Sequence, residues 1–245
     1  KVAKLLVGVP AGEVDVAGLL RGGSELLSPR AREKAIEIAW AAPQAVGVIR
    51  TDEGRLRQIL LNFAGNAVKF TETGGVLLSV APSDPGRLRF TVDDTGPGVS
   101  TAQRERIFEA FAQADPAHAH MGGAGLGLAI ARRLALAMDG EVGVEPRLGG
   151  GARFWFEAAF RALPGSVPPA ALTARKVGVV SPNAIVREAA SQQIEGCGGK
   201  AVAAEDLDGL LAATQFGDVI LVDHALATGS RLIRRPPERR AIILL

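Results

Sequence analysis

The chain has 245 residues, of which 47% are hydrophobic and 22% are charged, a balance typical of soluble globular proteins. Its 28 basic residues nearly equal its 26 acidic ones, and two prolines and a glutamate interrupt the arginines of residues 231–240, so we expect no nucleic-acid interface. A single cysteine, Cys197, excludes a disulfide framework, and the strand-length apolar runs fall short of the roughly 20 residues of a membrane span, which together favour a cytoplasmic protein.

A proline-rich segment divides the sequence. Residues 163–174 contain three prolines, one glycine and no acidic residue. This composition is typical of an extended linker. We therefore expect one domain over residues 1–162 and a second, incomplete domain over residues 175–245.

The pattern of the first domain predicts an α+β fold. Helices are expected over residues 15–34, 52–70, 101–110 and 127–138, and Asp52 is the expected N-cap of the second helix. Strands are expected over residues 35–40, 75–81, 87–93, 141–144 and 152–160, the last two as a hairpin.

The second domain has a different rhythm. Short apolar runs occupy residues 177–180, 201–204, 218–222 and 241–245, with helix-like segments between most of them. Alternation of this kind is typical of parallel strands that are covered on both faces.

The helix predicted over residues 52–70 carries a polar face in an otherwise apolar sequence. Asn62 and Asn66 lie one turn apart on one side, and Lys69 follows on the same side. Buried amides cost free energy unless they are paired, so two asparagines can simply satisfy nearby backbone groups. With an aligned lysine they also suit an anion and its metal, because an amide oxygen is a ligand for Mg²⁺ and an ammonium group attracts phosphate.

Two glycine-rich segments follow. Residues 93–99 begin with Asp93 and Asp94 and form a tight turn, beside which a carboxylate can accept a hydrogen bond from an exocyclic amine. The Asp-Thr-Gly sequence at this point also occurs in aspartyl proteases, but these need a second equivalent carboxylate, and the chain has no second such motif.

The second glycine segment, residues 122–127, leads directly into a helix, where free backbone amides favour an anion. It matches neither a phosphate-binding P-loop nor a dinucleotide-binding fingerprint, because no Lys-Ser/Thr pair follows and a loop precedes it.

Four motifs, in order, resemble those of histidine kinases. Residues 55–71 resemble the N box, residues 94–98 the G1 box, residues 107–111 the F box and residues 123–128 the G2 box. The resemblance implies an α+β two-layer sandwich, a mixed sheet on helices, with ATP and Mg²⁺ held between the N-box helix and a lid over residues 112–126.

The resemblance also implies a role for each matching residue. Asn66 would coordinate Mg²⁺, Asn62 would support the phosphates, and Lys69 would reach one of them. Phe70 would pack near the adenine, Asp94 would bind its amino group, and Gly96 and Gly98 would shape that pocket. Gly123, Gly125 and Gly127 would line the phosphates, Leu126 and Leu128 would belong to the same nucleotide-binding segment, and Phe108 and Phe111 would anchor the lid.

Departures from the family pattern leave a second function open. Related gyrase-type and mismatch-repair ATPases carry a catalytic glutamate where this chain has Asn62, so the resemblance implies phosphoryl transfer to a protein rather than hydrolysis. Ala124 replaces a common threonine or serine, and the lid contains no arginine or lysine, so His118 or His120 would be its only basic groups. These departures indicate weakened ATP binding or turnover, and the alternative is a pseudokinase that senses nucleotide or acts as a scaffold.

None of the three histidines, including His224, has the sequence context of the family's phosphoacceptor. We therefore expect a histidine-bearing dimerisation domain before Lys1, a homodimer in the full-length protein, and no autophosphorylation by this chain alone. A response regulator or a receiver domain is the expected partner downstream.

Residues 175–245 resemble the front half of a receiver domain, a partial α/β flavodoxin-like fold. Asp223 then stands where receivers carry the phosphoacceptor. Ser181 and Pro182 occupy the positions of the acidic pair that holds Mg²⁺. This favours a degenerate receiver that serves for docking or regulation over an active phosphoacceptor.

Overall fold

In a computed structural model, the described residues are 11–43, 46–111, 125–163, 170–213, 219–227 and 241–244. The helices are α1 (Val16–Glu33), α2 (Glu53–Phe70), α3 (Gly127–Leu136), α4 (Ala184–Gly196), α5 (Leu207–Ala212) and α6 (His224–Ala227). The strands are β1 (Gly12–Asp15), β2 (Glu37–Ala41), β3 (Val48–Thr51), β4 (Gly75–Pro82), β5 (Arg87–Asp94), β6 (Glu141–Pro146), β7 (Ala152–Ala159), β8 (Arg161–Ala162), β9 (Lys176–Val180), β10 (Lys200–Ala204), β11 (Val219–Val222) and β12 (Ala241–Leu244).

A five-stranded mixed sheet organises the N-terminal part, in the order β2-β4-β5-β7-β6. The β2–β4 pairing is parallel and the other three are antiparallel. Helices α1, α2 and α3 contribute to one apolar core with alternate residues of β4, β5 and β7, such as Val76, Phe90 and Phe156. In that core the rings of Phe63 and Phe154 lie 5.6 Å apart. The predicted mixed sheet on helices is confirmed.

Helix α2 forms where its sequence predicts. The Asp52 side chain accepts a hydrogen bond from the backbone N–H of Arg55 at 3.0 Å, which satisfies one of the free amides of the first turn. At the other end Lys34 Nζ donates to the carbonyls of Val68 and Lys69, at 3.0 and 2.7 Å. The buried positions recur every three or four residues and face the sheet: Leu56, Ile59, Leu60, Phe63, Ala64, Ala67 and Val68. Both ends of α2 are therefore fixed relative to the core.

The helix predicted over residues 101–110 is wrong. This segment forms two short 3₁₀ turns, Thr101–Gln103 and Arg106–Phe108. Only Ile107 and Phe108 are buried there, and two adjacent residues cannot form the apolar stripe that stabilises an α-helix by packing.

A small antiparallel sheet, β1-β3-β8, was not predicted from the sequence. Its strands have only four, four and two residues, too short for alternation to be distinctive. Strand β8 pairs with β3 and places the end of the N-terminal part beside its own core.

The C-terminal part contains a parallel sheet in the order β10-β9-β11-β12. On one face of this sheet, Ile194 of α4 forms a core patch with Val177 and Val179 of β9. On the other face, Leu210 of α5 packs with Val180. The four predicted apolar runs are therefore strands, and helices cover both faces of their sheet.

Helix α4 also packs against the N-terminal sheet, on the face opposite to α1, α2 and α3. Its Ile185 and Ala189 contact Ala41 of β2 and Leu77 of β4. Because side chains alternate along a strand, Leu77 points away from the core that holds Val76 and Leu78. The two-layer arrangement is thus locally a three-layer one. None of the described helices combines the length and hydrophobicity that a bilayer crossing requires.

Candidate functional site

We call the region between the polar face of α2, the start of α3 at Gly127 and the end of β5 at Asp94 the cleft. Asn62, Asn66, Lys69 and Phe70 are all half-buried. Asn62 Oδ1 accepts a hydrogen bond from Gln58 Nε2 at 3.3 Å. Asn62 Nδ2 is buried and has no hydrogen-bond partner among the described residues. Such an orphaned donor costs free energy, so the structure favours an acceptor at this point of the cleft. Lys69 Nζ lies 4.5 Å from the centroid of the Phe70 ring.

The start of α3 lies against Asn62. A Cβ atom at Gly127 would lie 3.4 Å from Asn62 Oδ1, so glycine permits the close approach of the two helices. Leu126 is the N-cap residue and forms no side-chain cap bond, which leaves first-turn amides available to an anion. Gly125 has a φ of +62°, a conformation that glycine adopts without strain.

Phe111 and Gly125 join the two ends of the segment that the sequence identifies as a lid. The Phe111 N–H donates to the Gly125 carbonyl at 3.1 Å, and the Phe111 side chain is 74% exposed. Phe108 is buried, and Leu128 is half-buried in the first turn of α3. The predicted residues Gly123, Ala124, His118 and His120 lie outside the described residues.

Asp94 closes the other end of the cleft. Its side chain is 5% exposed, and its Oδ1 accepts from the backbone N–H groups of Gly96 at 2.9 Å and Ala152 at 3.2 Å. Burial raises the pKa of Asp94 above its ordinary value, although these two hydrogen bonds act in the opposite direction. A Cβ at Gly96 would lie 3.1 Å from Asp94 Oδ1 and 3.2 Å from the Phe70 carbonyl, so this corner is tightly packed. The end of α2 and the carboxylate therefore lie at the same corner of the cleft.

Gly151 is a site residue that the sequence analysis missed. Its φ is +98°, and a Cβ there would overlap the Asp94 carbonyl oxygen. Gly98, with a φ of +77°, packs against it, since a Cβ at Gly98 would lie 3.1 Å from the Gly151 carbonyl oxygen. The signal was present as three successive glycines at 149–151, but these also suit an ordinary hairpin turn.

Comparisons with known proteins agree with this geometry. A family model described as histidine kinase-, DNA gyrase B- and HSP90-like ATPase matches residues 51–162. The chain is 42% identical over 227 residues to the sensor histidine kinase AruS of Pseudomonas aeruginosa. The aligned region covers 88% of the chain and 23% of AruS.

Residues 51–162 are an ATPase domain of the histidine kinase type.

Solved structures extend the likeness beyond the ATPase domain. A crystal structure of full-length ShkA in complex with AMPPNP is 53% identical, with a TM-score of 0.85 over 98% of this chain and 50% of that one. The catalytic domain of the histidine kinase ThkA is 25% identical, with a TM-score of 0.54 over 62% of this chain and 96% of that one. The chain thus spans only 23% of AruS and half of the ShkA chain.

A buried ion pair lies directly behind the pocket of the ATPase domain, and the sequence analysis did not identify it. Asp93 is fully buried and accepts from Arg153 Nε at 2.6 Å and from Arg153 Nη2 at 3.2 Å. Burial raises the pKa of Asp93, and Arg153 only partly offsets this, while the bond to Asp93 raises the pKa of Arg153. Since successive strand residues face opposite sides, Asp93 points to the outer face of the sheet and Asp94 toward the cleft.

The predicted phosphoacceptor of the C-terminal part lies at the end of β11. Asp223 Oδ2 accepts a hydrogen bond from Ser181 Oγ at 2.5 Å, and Oδ1 accepts from the Ala225 N–H at 2.9 Å. Ser181 is 1% exposed. Within the described ranges no group of three or more His, Cys, Asp or Glu side chains is placed to hold a metal ion.

Removing the partner of Asp93 should make the stability of the domain depend more strongly on pH. In Arg153→Met the pKa of Asp93 rises further, because the positive charge that favours the carboxylate is gone. The folded state then holds a proton that the unfolded state releases at its pKa of about 4. The free energy of unfolding therefore falls as the pH rises from about 4 through the pKa of the folded state. We expect a loss of about 1–3 kcal/mol near pH 8 and a smaller loss near pH 5, measured by urea unfolding. The double variant Asp93→Asn/Arg153→Met should abolish this pH dependence. An equal loss at both pH values would contradict the assigned pair.

Proposed function

We propose that the cleft between α2 and α3 binds ATP, with the adenine amino group on Asp94. One observation carries this proposal: Asp94 is a nearly buried carboxylate whose two hydrogen bonds both use Oδ1. Among the described residues no donor reaches its Oδ2. This second oxygen of a largely buried carboxylate is therefore an acceptor open to a ligand, and an exocyclic amine would satisfy it. The backbone beside it, at Gly96 and Gly98, lacks the side chains that would exclude a flat base.

The phosphates and their Mg²⁺ would lie toward the N-terminal side of Phe70 on α2, near Asn66, Asn62 and the start of α3. Asn66 would offer its amide oxygen to the cation, as carbonyl-type oxygens do in magnesium sites. Asn62 Nδ2, which lacks a partner among the described residues, would donate to a phosphate oxygen, and Lys69 would add its positive charge. The backbone amides at Gly125, Leu126, Gly127 and Leu128, together with Gly123, would complete the phosphate site. These residue types fit both the anion and its cation.

The position of Asn62 favours transfer to a protein acceptor over hydrolysis. An amide cannot take a proton from water as a carboxylate can, so this site contains no general base at that position. What the chain supplies is position and charge compensation for a γ-phosphoryl group that a histidine on another domain attacks in line. We accordingly propose that this chain is the catalytic part of a hybrid sensor histidine kinase that acts within a phosphorelay. Phe108 and Phe111 would anchor the lid.

The remaining components are those of the larger protein. We propose that the phosphoacceptor histidine lies on a dimerising helical domain, that the full-length protein is a homodimer, and that a response regulator or receiver domain accepts the phosphoryl group in turn. The likeness to AruS, over 88% of this chain, supports this proposal.

The assay for this function supplies the dimerisation domain of the full-length protein in trans, with labelled ATP and Mg²⁺. We expect the chain to label the histidine of that domain. Asp94→Asn should reduce labelling at limiting ATP at least about tenfold. The reason is that the amide has only one acceptor oxygen, whereas a hydrogen bond to the charged carboxylate is worth about 1.5–3 kcal/mol. Its melting temperature should not fall, since the substitution removes a buried charge. Asp84→Asn, on the exposed β4–β5 turn, is the matched control.

Each other outcome of this assay points to a different function. ATP binding without labelling of the histidine would identify a nucleotide-sensing pseudokinase scaffold, which the sequence departures at Ala124 and in the lid favour. Release of phosphate into water at the rate of ATP consumption would identify a hydrolase. Absence of any heat with ATP and Mg²⁺ in calorimetry would refute the nucleotide site itself.

We propose that residues 175–245 are a degenerate receiver with a docking or regulatory role. The strand order 2-1-3-4 of their parallel sheet is that of the flavodoxin-like doubly wound fold, which supports this assignment. The Ser181 hydroxyl occupies the place of an acidic side chain and is bonded to Asp223. A neutral hydroxyl provides little of the negative charge that draws Mg²⁺ to an active receiver.

Asp223 should therefore not accept phosphate. Incubation with acetyl phosphate and Mg²⁺ should leave the intact mass of the chain unchanged, with Asp223→Asn as the control. A mass increase of one phosphoryl group that Asp223→Asn removes would show an active receiver instead.

A further inference from the structure

Helix α4 contacts the outer face of the ATPase sheet where that face is apolar. Ile185 is fully buried, and with Ala189 it packs on Leu77 and Ala41. Further across the same face, polar pairs replace apolar contacts, such as the 2.6 Å hydrogen bond between Ser79 and Thr91. Leu77 pairs across the strands with Asp93, so α4 lies one strand away from the ion pair behind the pocket. This places the side chains of α4 within reach of the residues that flank Asp94.

Glu188 of α4 contacts two arginines, and one of them, Arg153, connects it to Asp93, the first residue that flanks Asp94. Its Oε2 accepts from Arg147 Nη2 at 2.6 Å, and its Oε1 lies 4.0 Å from Arg153 Nη2. Arg153 in turn holds Asp93, the residue before Asp94. The Arg147 side chain is 9% exposed, so its pair with Glu188 lies largely out of water. Ion pairs that are partly desolvated are screened less by salt than exposed ones, and loss of one partner leaves an uncompensated charge.

Arg147 also shapes the turn that touches the carboxylate. Its Nη1 lies 3.3 Å from the Leu148 carbonyl and 3.5 Å from the Gly150 carbonyl, and donates to both. This turn continues into Gly151, whose backbone abuts the Asp94 carbonyl, and into Ala152, whose N–H donates to Asp94 Oδ1. Glu188 is thus connected to Asp93, through Arg153, and to the Ala152 N–H, through Arg147 and the turn. The Ala152 N–H is one of the two donors that orient the Asp94 side chain.

Asn183 contacts the turn that supports Thr95, the residue after Asp94. It is the N-cap of α4, and its Nδ2 donates to the Gly74 carbonyl at 3.0 Å. Thr95 Oγ1 holds the same turn, since it donates to the Thr73 carbonyl at 2.6 Å and accepts from the Gly75 N–H at 2.9 Å. Thr95 directly follows Asp94. The C-terminal part therefore contacts the supports of both neighbours of Asp94.

We propose that Glu188 and Asn183 are positioning residues for base recognition, through which the docked C-terminal part raises the affinity of the site for adenine nucleotides. The proposal rests on the role of Asp94 proposed above. Neither residue touches the nucleotide; each fixes the backbone that aims Asp94 Oδ2 into the pocket. Because coupling between two equilibria is reciprocal, ATP binding in turn strengthens the docking of α4.

The test compares ATP with purine riboside triphosphate, which lacks the exocyclic amine, by calorimetry on the full chain with Mg²⁺. Glu188→Gln removes the charge at nearly constant shape. Asn183→Asp keeps an oxygen for the helix cap and removes the amide donor to Gly74. We expect each to weaken ATP binding about fivefold or more, the lower end of typical coupling, while the affinity for the analogue changes little. Glu195→Gln, an exposed glutamate on the same helix, is the matched control and should change neither affinity.

The ratio of the two affinities separates positioning from a merely structural role. If both variants leave that ratio at the wild-type value, with or without a lower melting temperature, the proposal is wrong. Asp94→Asn identifies the other failure, since it should remove the preference for ATP whatever Glu188 does. If the wild-type chain itself shows no preference for ATP over the analogue, the proposed role of Asp94 fails and the positioning role fails with it.

Discussion

A buried carboxylate held by two backbone amides is the interaction on which the site depends. Asp94 pairs only through Oδ1 with the described residues, and its pKa is raised by burial, so the folded chain keeps a costly group at the end of β5. A group of this kind persists where a ligand compensates it. The glycines around it suit the same constraint, because a Cβ at Gly151 would overlap the Asp94 carbonyl oxygen, and a Cβ at Gly96 or Gly98 would lie only 3.1 Å from Asp94 Oδ1 or the Gly151 carbonyl oxygen.

The alternation of strand residues gives the two adjacent carboxylates opposite roles. Asp94 faces the cleft beneath α2 and α3, whereas Asp93 faces the outer side, where Arg153 neutralises it and α4 docks nearby. One strand therefore links the proposed nucleotide site to the C-terminal part. The link consists of polar contacts, from Glu188 through Arg153 to Asp93 and from Asn183 through the turn at Gly74 to Thr95.

Sequence reasoning located the elements with strong local signals. The apolar segments of β4 and β5, the Asp52 cap and the apolar stripe of α2 are local patterns, and the structure has these elements where they were expected. The 3₁₀ turns near Phe108 and the β1-β3-β8 sheet were missed because their segments are short and their stability comes from distant contacts. The partners of Asp93 and Asp94 were missed for the same reason, since Arg153 and Ala152 lie 60 and 58 residues away along the chain. Distance in the sequence hides such pairs unless the register of the sheet is known.

The most direct measurement of the central claim is a crystal structure of this chain with a non-hydrolysable ATP analogue and Mn²⁺ in place of Mg²⁺. We expect the exocyclic amine of adenine about 2.7–3.2 Å from Asp94 Oδ2, and anomalous density for the metal beside Asn66 Oδ1. A nucleotide bound elsewhere, or bound here with Asp94 turned away from the base, would contradict it.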